Sequence, residues 1–260
     1  MSLDNVPQTI ETLDQMVSPI IDVLWRYAGL PVIAAMVGTL IGSFYKLGPK
    51  GLSHLQHLAA GIIFSVVSVE ILPDVIHRQQ PTLLTIGFST GVGFMLLLAH
   101  FSNHGEGDEG AEGKRRIPLA LFAGVGVDVF LDGLILALTI HTLASAGRLL
   151  SLALSVELLS VGLTLTGTLR KLNHSRPSIF LLNFGVFSML AFGTILGMAG
   201  LPYLPDSALD LVLSFGLAAL LFLVTEELLV ESHREVDTHI STVLFFAGFL
   251  VFLLLGQQHQ

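Results

Sequence analysis

The chain has 260 residues, 52% of them hydrophobic and only 12% charged, with a formal net charge of -8 and no cysteine. Its mean hydropathy is +0.78, and because soluble domains usually carry about 25% charge, this balance excludes an ordinary soluble domain and points to a membrane protein. The missing cysteines exclude disulfides and thiolate-held metal, and the acidic balance gives nucleic-acid binding no support.

The first 18 residues hold Asp4, Glu11 and Asp14 but no lysine or arginine. They lack the basic start of a signal peptide and are expected to form a polar tail. Residues 19–260 are expected to form a single transmembrane domain. Charge-free stretches run from Tyr27 to Tyr45, Gln79 to Gly105, Pro177 to Pro205 and Ile240 to Gln260. Four further runs, near residues 55–77, 117–142, 149–169 and 207–230, reach the roughly 20 residues that cross a bilayer only if acids are accepted inside them. An all-α membrane protein of eight transmembrane helices follows.

The second run closes with Glu70, Asp74 and His77, which share one helical face at i, i+4 and i+7. They read either as an entrance funnel for cations or as a polar helix end. In the third run Gly87, Gly91 and Gly93 predict close helix packing, as do Gly193, Gly197 and Gly200 in the sixth. The connection from Ser102 to Arg116 reads as flexible chain. His100 and His104 precede Glu106, Asp108, Glu109 and Glu112 there, which suits weak metal capture or a solubilising linker.

The fourth run, Gly124 to Ile140, reads GVGVDVFLDGLILALTI. An aspartate at the centre of a spanning helix costs roughly 2.5–3.5 kcal/mol and normally faces the bundle interior. Asp128 and Asp132, four apart, stack on one face about 5–6 Å apart. Left ionised with nothing between them they repel, so either one is protonated or a cation sits there. The plainer alternative is a proton-sharing pair bonded to a neighbouring helix. In the fifth run Glu157 is the single acid, flanked by the hydroxyls of Ser155, Ser160, Thr164 and Thr166. The short connection from His141 to Arg148 predicts antiparallel packing that brings Glu157 to the aspartate face. The seventh run carries Glu226 and Glu227, adjacent and therefore facing different ways, of which Glu227 is the expected ligand. Glu231, His233 and His239 read as a solvated helix end.

Loops on one side of eight spans hold nine basic residues (Lys46, Lys50, Lys114, Arg115, Arg116, Arg170, Lys171, Arg176, Arg234), and the other side holds three (Arg26, Arg78, Arg148). Basic residues accumulate on the cytoplasmic side, so both termini are expected outside and the 102–116 loop inside.

Together these residues resemble the ZIP family of divalent metal transporters, from about Gly51 to Gly256. HLAAGIIFSVVSVEILPD resembles that family's second span and LLFLVTEELLVESHRE the close of its seventh. DVFLDG, Asp128 to Gly133, lies where the family has His-Asn-x-Pro-Glu-Gly: Asp128 takes the histidine position, Asp132 the glutamate, and Gly133 matches. Val129 and Leu131 replace the asparagine and the proline. In ELLSVG, Glu157 takes the first ligand position and Gly162 matches, while Leu158 and Val161 remove two carboxylates. The resemblance implies one site of Asp128, Asp132, Glu157 and Glu227, with Glu226, Glu70 and Asp74 as further candidates. It implies zinc first, iron or manganese close behind, carried into the cytoplasm by alternating access, the first, fourth, fifth and sixth spans sliding as a unit. Such a protein is not an enzyme, has no catalytic cofactor, and sits in a bacterial inner membrane. Its expected partners are the metal ion and the lipid bilayer, with a homodimer as an open assembly.

Three other readings stay open. A metal-sensing relative would bind without transport, and a transporter of protons or a cationic metabolite would use the same acids. An intramembrane aspartyl protease would need a Gly-x-Gly-Asp motif, but Gly124-Val-Gly126-Val-Asp128 is one residue out of register and no Tyr-Asp partner occurs.

Overall fold

The computed structural model describes residue 18 and residues 21–45, 48–104, 119–232 and 239–257. Among these residues every regular element is helical. Eight helices are long and apolar enough to cross a membrane, and the protein is an all-α, multi-pass membrane protein. They are α1 (Ile21–Phe44), α2 (Pro49–His77), α5 (Ala144–Lys171) and α8 (His239–Gln257), with α3 (Pro81–His104), α4 (Leu119–Thr142) and α6 (Arg176–Gly200). The remaining one, α7, starts as Asp206–Phe222 and continues through Leu223–Leu228 to Leu229–Ser232.

Two boundaries differ from expectation. α1 begins before Tyr27, because Asp22 and Arg26 pair across one turn at 2.7 Å and extend the helix toward its polar end. α3 continues through Ser102 and Asn103 to His104. The polar tail and the rest of the glycine-rich loop lie outside the described residues.

Among the described residues three helices contain a π-helical turn: Leu24–Ala28, Val67–Ile71 and Leu223–Leu228. The first two precede prolines. A proline has no N–H for the carbonyl four residues back and crowds it, and an extra residue in the turn relieves that clash. Pro31 leaves the Tyr27 carbonyl without its usual donor, and the Ser151 hydroxyl of α5 donates to it at 2.5 Å. Pro73 stands in the same relation to Val69. The third π turn has no proline and carries Glu226 and Glu227.

The helices pair most extensively as α1 with α5, α4 with α6, α2 with α8 and α3 with α7. Glycines explain the closeness. A Cβ on Gly38 would strike the backbone of Leu159, and one on Gly162 that of Ala35, so α1 and α5 meet reciprocally. Gly133 and Gly193 abut Leu190 and Phe130 between α4 and α6, and Gly61 abuts Phe245 between α2 and α8. Gly87 and Gly91 meet Leu211 and Phe215 of α7. The packing expected of Gly87, Gly91, Gly193 and Gly197 is therefore found, whereas Gly93 and Gly200 have open space beside them.

Two groups emerge, α1, α4, α5, α6 and α2, α3, α7, α8. Polar clamps fall inside them. Asn183 of α6 donates to Thr39 and Thr166 at 3.0 and 2.9 Å, and Arg170 of α5 donates to the Gly42 carbonyl at 2.6 Å, all within the first group. Arg78 joins Asp74 and Asp210 within the second. Exchanging α1–α3 with α6–α8, and α4 with α5, maps the four main pairings onto one another. Because spans alternate in direction, α1 and α6 run oppositely, so the relation is inverted. The contacts between groups are unequal: α2 packs broadly on α5, while the equivalent pair, α7 and α4, barely touch.

Candidate metal centre

The site begins with the connection between α4 and α5. Leu143 alone separates them, in extended conformation, so the two helices fold back on each other with the antiparallel packing that the short connection implies. Asp128 and Asp132 lie on α4 at i and i+4, and Glu157 lies on α5. Asp132 is 3% exposed, Glu157 1% and Asp128 half-buried. One carboxylate oxygen from each lies within 4.8 Å of the other two. Among the described residues this is the one such cluster of potential ligands.

The separations suit a shared cation. Carboxylate oxygens bind divalent ions at about 2.0–2.6 Å, so two oxygens on one ion stand at most about 5.2 Å apart. The chemistry is that of hard oxygen donors. Three carboxylates in a low-dielectric surround cannot all ionise cheaply, so the cluster holds either shared protons or a cation.

No family model matches the chain, and no curated protein matches it.

The surroundings explain several letters of the motif. Gly133, next to Asp132, lets α6 approach, and Gly162 lets α1 approach. Val129 and Leu158 are fully buried core residues, and Val161 is partly buried against the same core. The hydroxyls beside Glu157 serve their own helix: Ser155 donates to the Ser151 carbonyl at 2.7 Å, Ser160 to that of Glu157 at 2.7 Å and Thr164 to that of Ser160 at 3.0 Å. Thr166 accepts from Asn183 instead.

The other candidates stand apart from this cluster or beyond description. Glu227 lies on the π turn of α7, and its side chain is outside the described residues, as are those of His104 and Glu231 and the whole of Glu106, Asp108, Glu109, Glu112 and His233. Glu226 is exposed. Glu70 is 8% exposed on the π turn of α2, and one of its carboxylate oxygens lies 2.9 Å from where a Gly256 side chain would begin. Asp74 accepts from Arg78 at 3.1 Å, and the same guanidinium reaches Asp210 at 2.6 Å, so Asp74 is already engaged by the protein. His77, His100 and His239 are exposed.

Sequence reasoning missed the Asn183 clamp. All three of its residues are fully buried. The signal was there: a lone amide inside a spanning run seeks partners on other helices.

Proposed function

We propose that the protein is a ZIP-like transporter carrying a divalent metal cation into the cytoplasm through the Asp128, Asp132 and Glu157 site, zinc first with iron and manganese close behind. The observation that carries this reading is the convergence of three carboxylates from two antiparallel spans on one buried spot in an otherwise apolar chain. Burying such a set is costly, and a cation that passes through supplies the compensation. The carboxylates replace its hydration shell, and the site must still release it. Glu227 is the fourth ligand in this reading.

The grouping of helices supports alternating access. Asp128, Asp132 and Glu157 all ride on the group of α1, α4, α5 and α6, which is clamped internally by glycine contacts and by Asn183, while Glu227 stands on α7 of the other group. The seam with the other group is unequal between inversely related pairs, as it would be in one of two end states. Nine basic residues against three support a cytoplasmic α1–α2 connection with the termini outside, and in this reading the membrane is a bacterial inner membrane.

The deciding experiment is uptake of a panel of divalent metals into proteoliposomes loaded with a metal-sensing dye. We expect flux from the wild type and at least about a tenfold loss in Asp132→Ala, the effect of removing a ligand that acts on the transported ion. Equal flux from both proteins for every metal would sink the site, and binding without flux would make the protein a sensor.

A further inference from the structure

We propose that the groove between α1, α2, α5 and α8 holds an acyl chain of an anionic phospholipid. The groove has a volume of about 370 Å³, with walls formed by Ile41, Leu55, Leu58, Leu159, Leu163 and Leu244. Gly51 and His54, near the start of α2, line its end toward the helix terminus. From Gly51 to Leu58 the helix rises about 10 Å, so the groove leads from the membrane boundary into the hydrocarbon layer. It lies on the seam where α2 meets α5, between the two helix groups.

Apolar walls alone would accept any hydrocarbon. The residues at the end near Gly51 decide the occupant. Exposed Lys50 adjoins Gly51, and Lys171 is exposed at the end of α5. The Arg170 guanidinium is held beside Ile41 by the Gly42 and Tyr45 carbonyls at 2.6 and 3.3 Å. Arg176 sits over the Phe44 ring, 4.6 Å from its centre. Basic residues at the helix ends next to lining residues Gly51 and Ile41 fit a negatively charged headgroup whose chain fills the groove. This inference requires the bilayer but not the metal reading.

Native mass spectrometry of the full chain with added phosphatidylglycerol or phosphatidylcholine of matched chains tests it. The wild type is expected to retain one phosphatidylglycerol in preference to phosphatidylcholine. Lys50→Gln, at an exposed position, should weaken retention about fivefold, the effect of one basic residue near an anionic surface. Leu163→Trp should block it by filling the slot. If Leu163→Trp does not keep its helix content and elution volume, Lys50→Gln decides alone. Equal retention of the two lipids, retention unchanged in Lys50→Gln, or a dimer that Leu163→Trp dissolves would each overturn the proposal.

Discussion

Asp132 and Glu157 are almost wholly removed from solvent, yet both are acids with a third acid, Asp128, within reach. Their charge repulsion acts on the protein whenever no cation or proton intervenes. Glu157→Gln keeps the shape and removes one charge, so in metal-free buffer at neutral pH it should unfold at a higher temperature than the wild type. The same change should abolish the metal-induced rise in melting temperature. That rise corresponds to about 2.7 kcal/mol for an intact site at metal a hundredfold above its Kd. A thermal-shift series with and without manganese or zinc reads both effects, and a metal response unchanged in Glu157→Gln would remove this residue from the site. The pairing of Asp128 with Asp132 was legible from a spacing of four. That the Arg78 guanidinium beside Asp74 is shared with a second carboxylate, Asp210, was not, because Asp210 lies 132 residues away from Arg78.

At the scale of the helix, prolines and glycines carry the information. Pro31 and the Ser151 hydroxyl form one unit, the first depriving the Tyr27 carbonyl of its donor and the second replacing it. Ser151→Ala should cost about 0.6 kcal/mol, the average for such bonds between spanning helices. In the Pro31→Ala background, where the helix can supply its own N–H, the same substitution should cost nothing measurable. A double-mutant cycle by steric trapping or denaturant unfolding checks this, and equal costs in both backgrounds would dissociate the pair. Gly133→Leu should be far more damaging, since its side chain would meet the Leu190 backbone. Overpacking typically costs about 1–3 kcal/mol, and separation of α4 from α6 would appear as a lower melting temperature. If Gly133→Leu melted like the wild type, the close approach would not govern the pairing. Glycine spacing announced packing faces, but it could not say which glycine found a partner: Gly193 does and Gly200 does not.

Across the whole molecule the two helix groups are the relevant units, and the absence of native cysteine makes them testable. Leu58 and Leu163 face one groove from opposite sides of the seam. Cysteines at both positions, joined by a short bifunctional reagent, should lower metal flux at least about tenfold while metal still binds, because Asp128, Asp132 and Glu157 lie within one group. A cross-link inside one group, between cysteines at Ala35 and Leu159 of α1 and α5, should leave flux unchanged. Flux that survives the first link would rule out relative motion across this seam.

Composition determined that the chain spans a membrane, since a 52% hydrophobic sequence with 12% charge has few other ways to hide its surface. Eight spans, the stacked aspartates and the nearness of Glu157 also followed from local rules of length, helical period and short connections. Only the tertiary structure decided which helices group together, that Asp210 shares Arg78 with Asp74, and where Asn183 goes. Those outcomes depend on backbone approach between distant segments. Many spans offer glycines and hydroxyls, and the letters do not say which pair of surfaces fits.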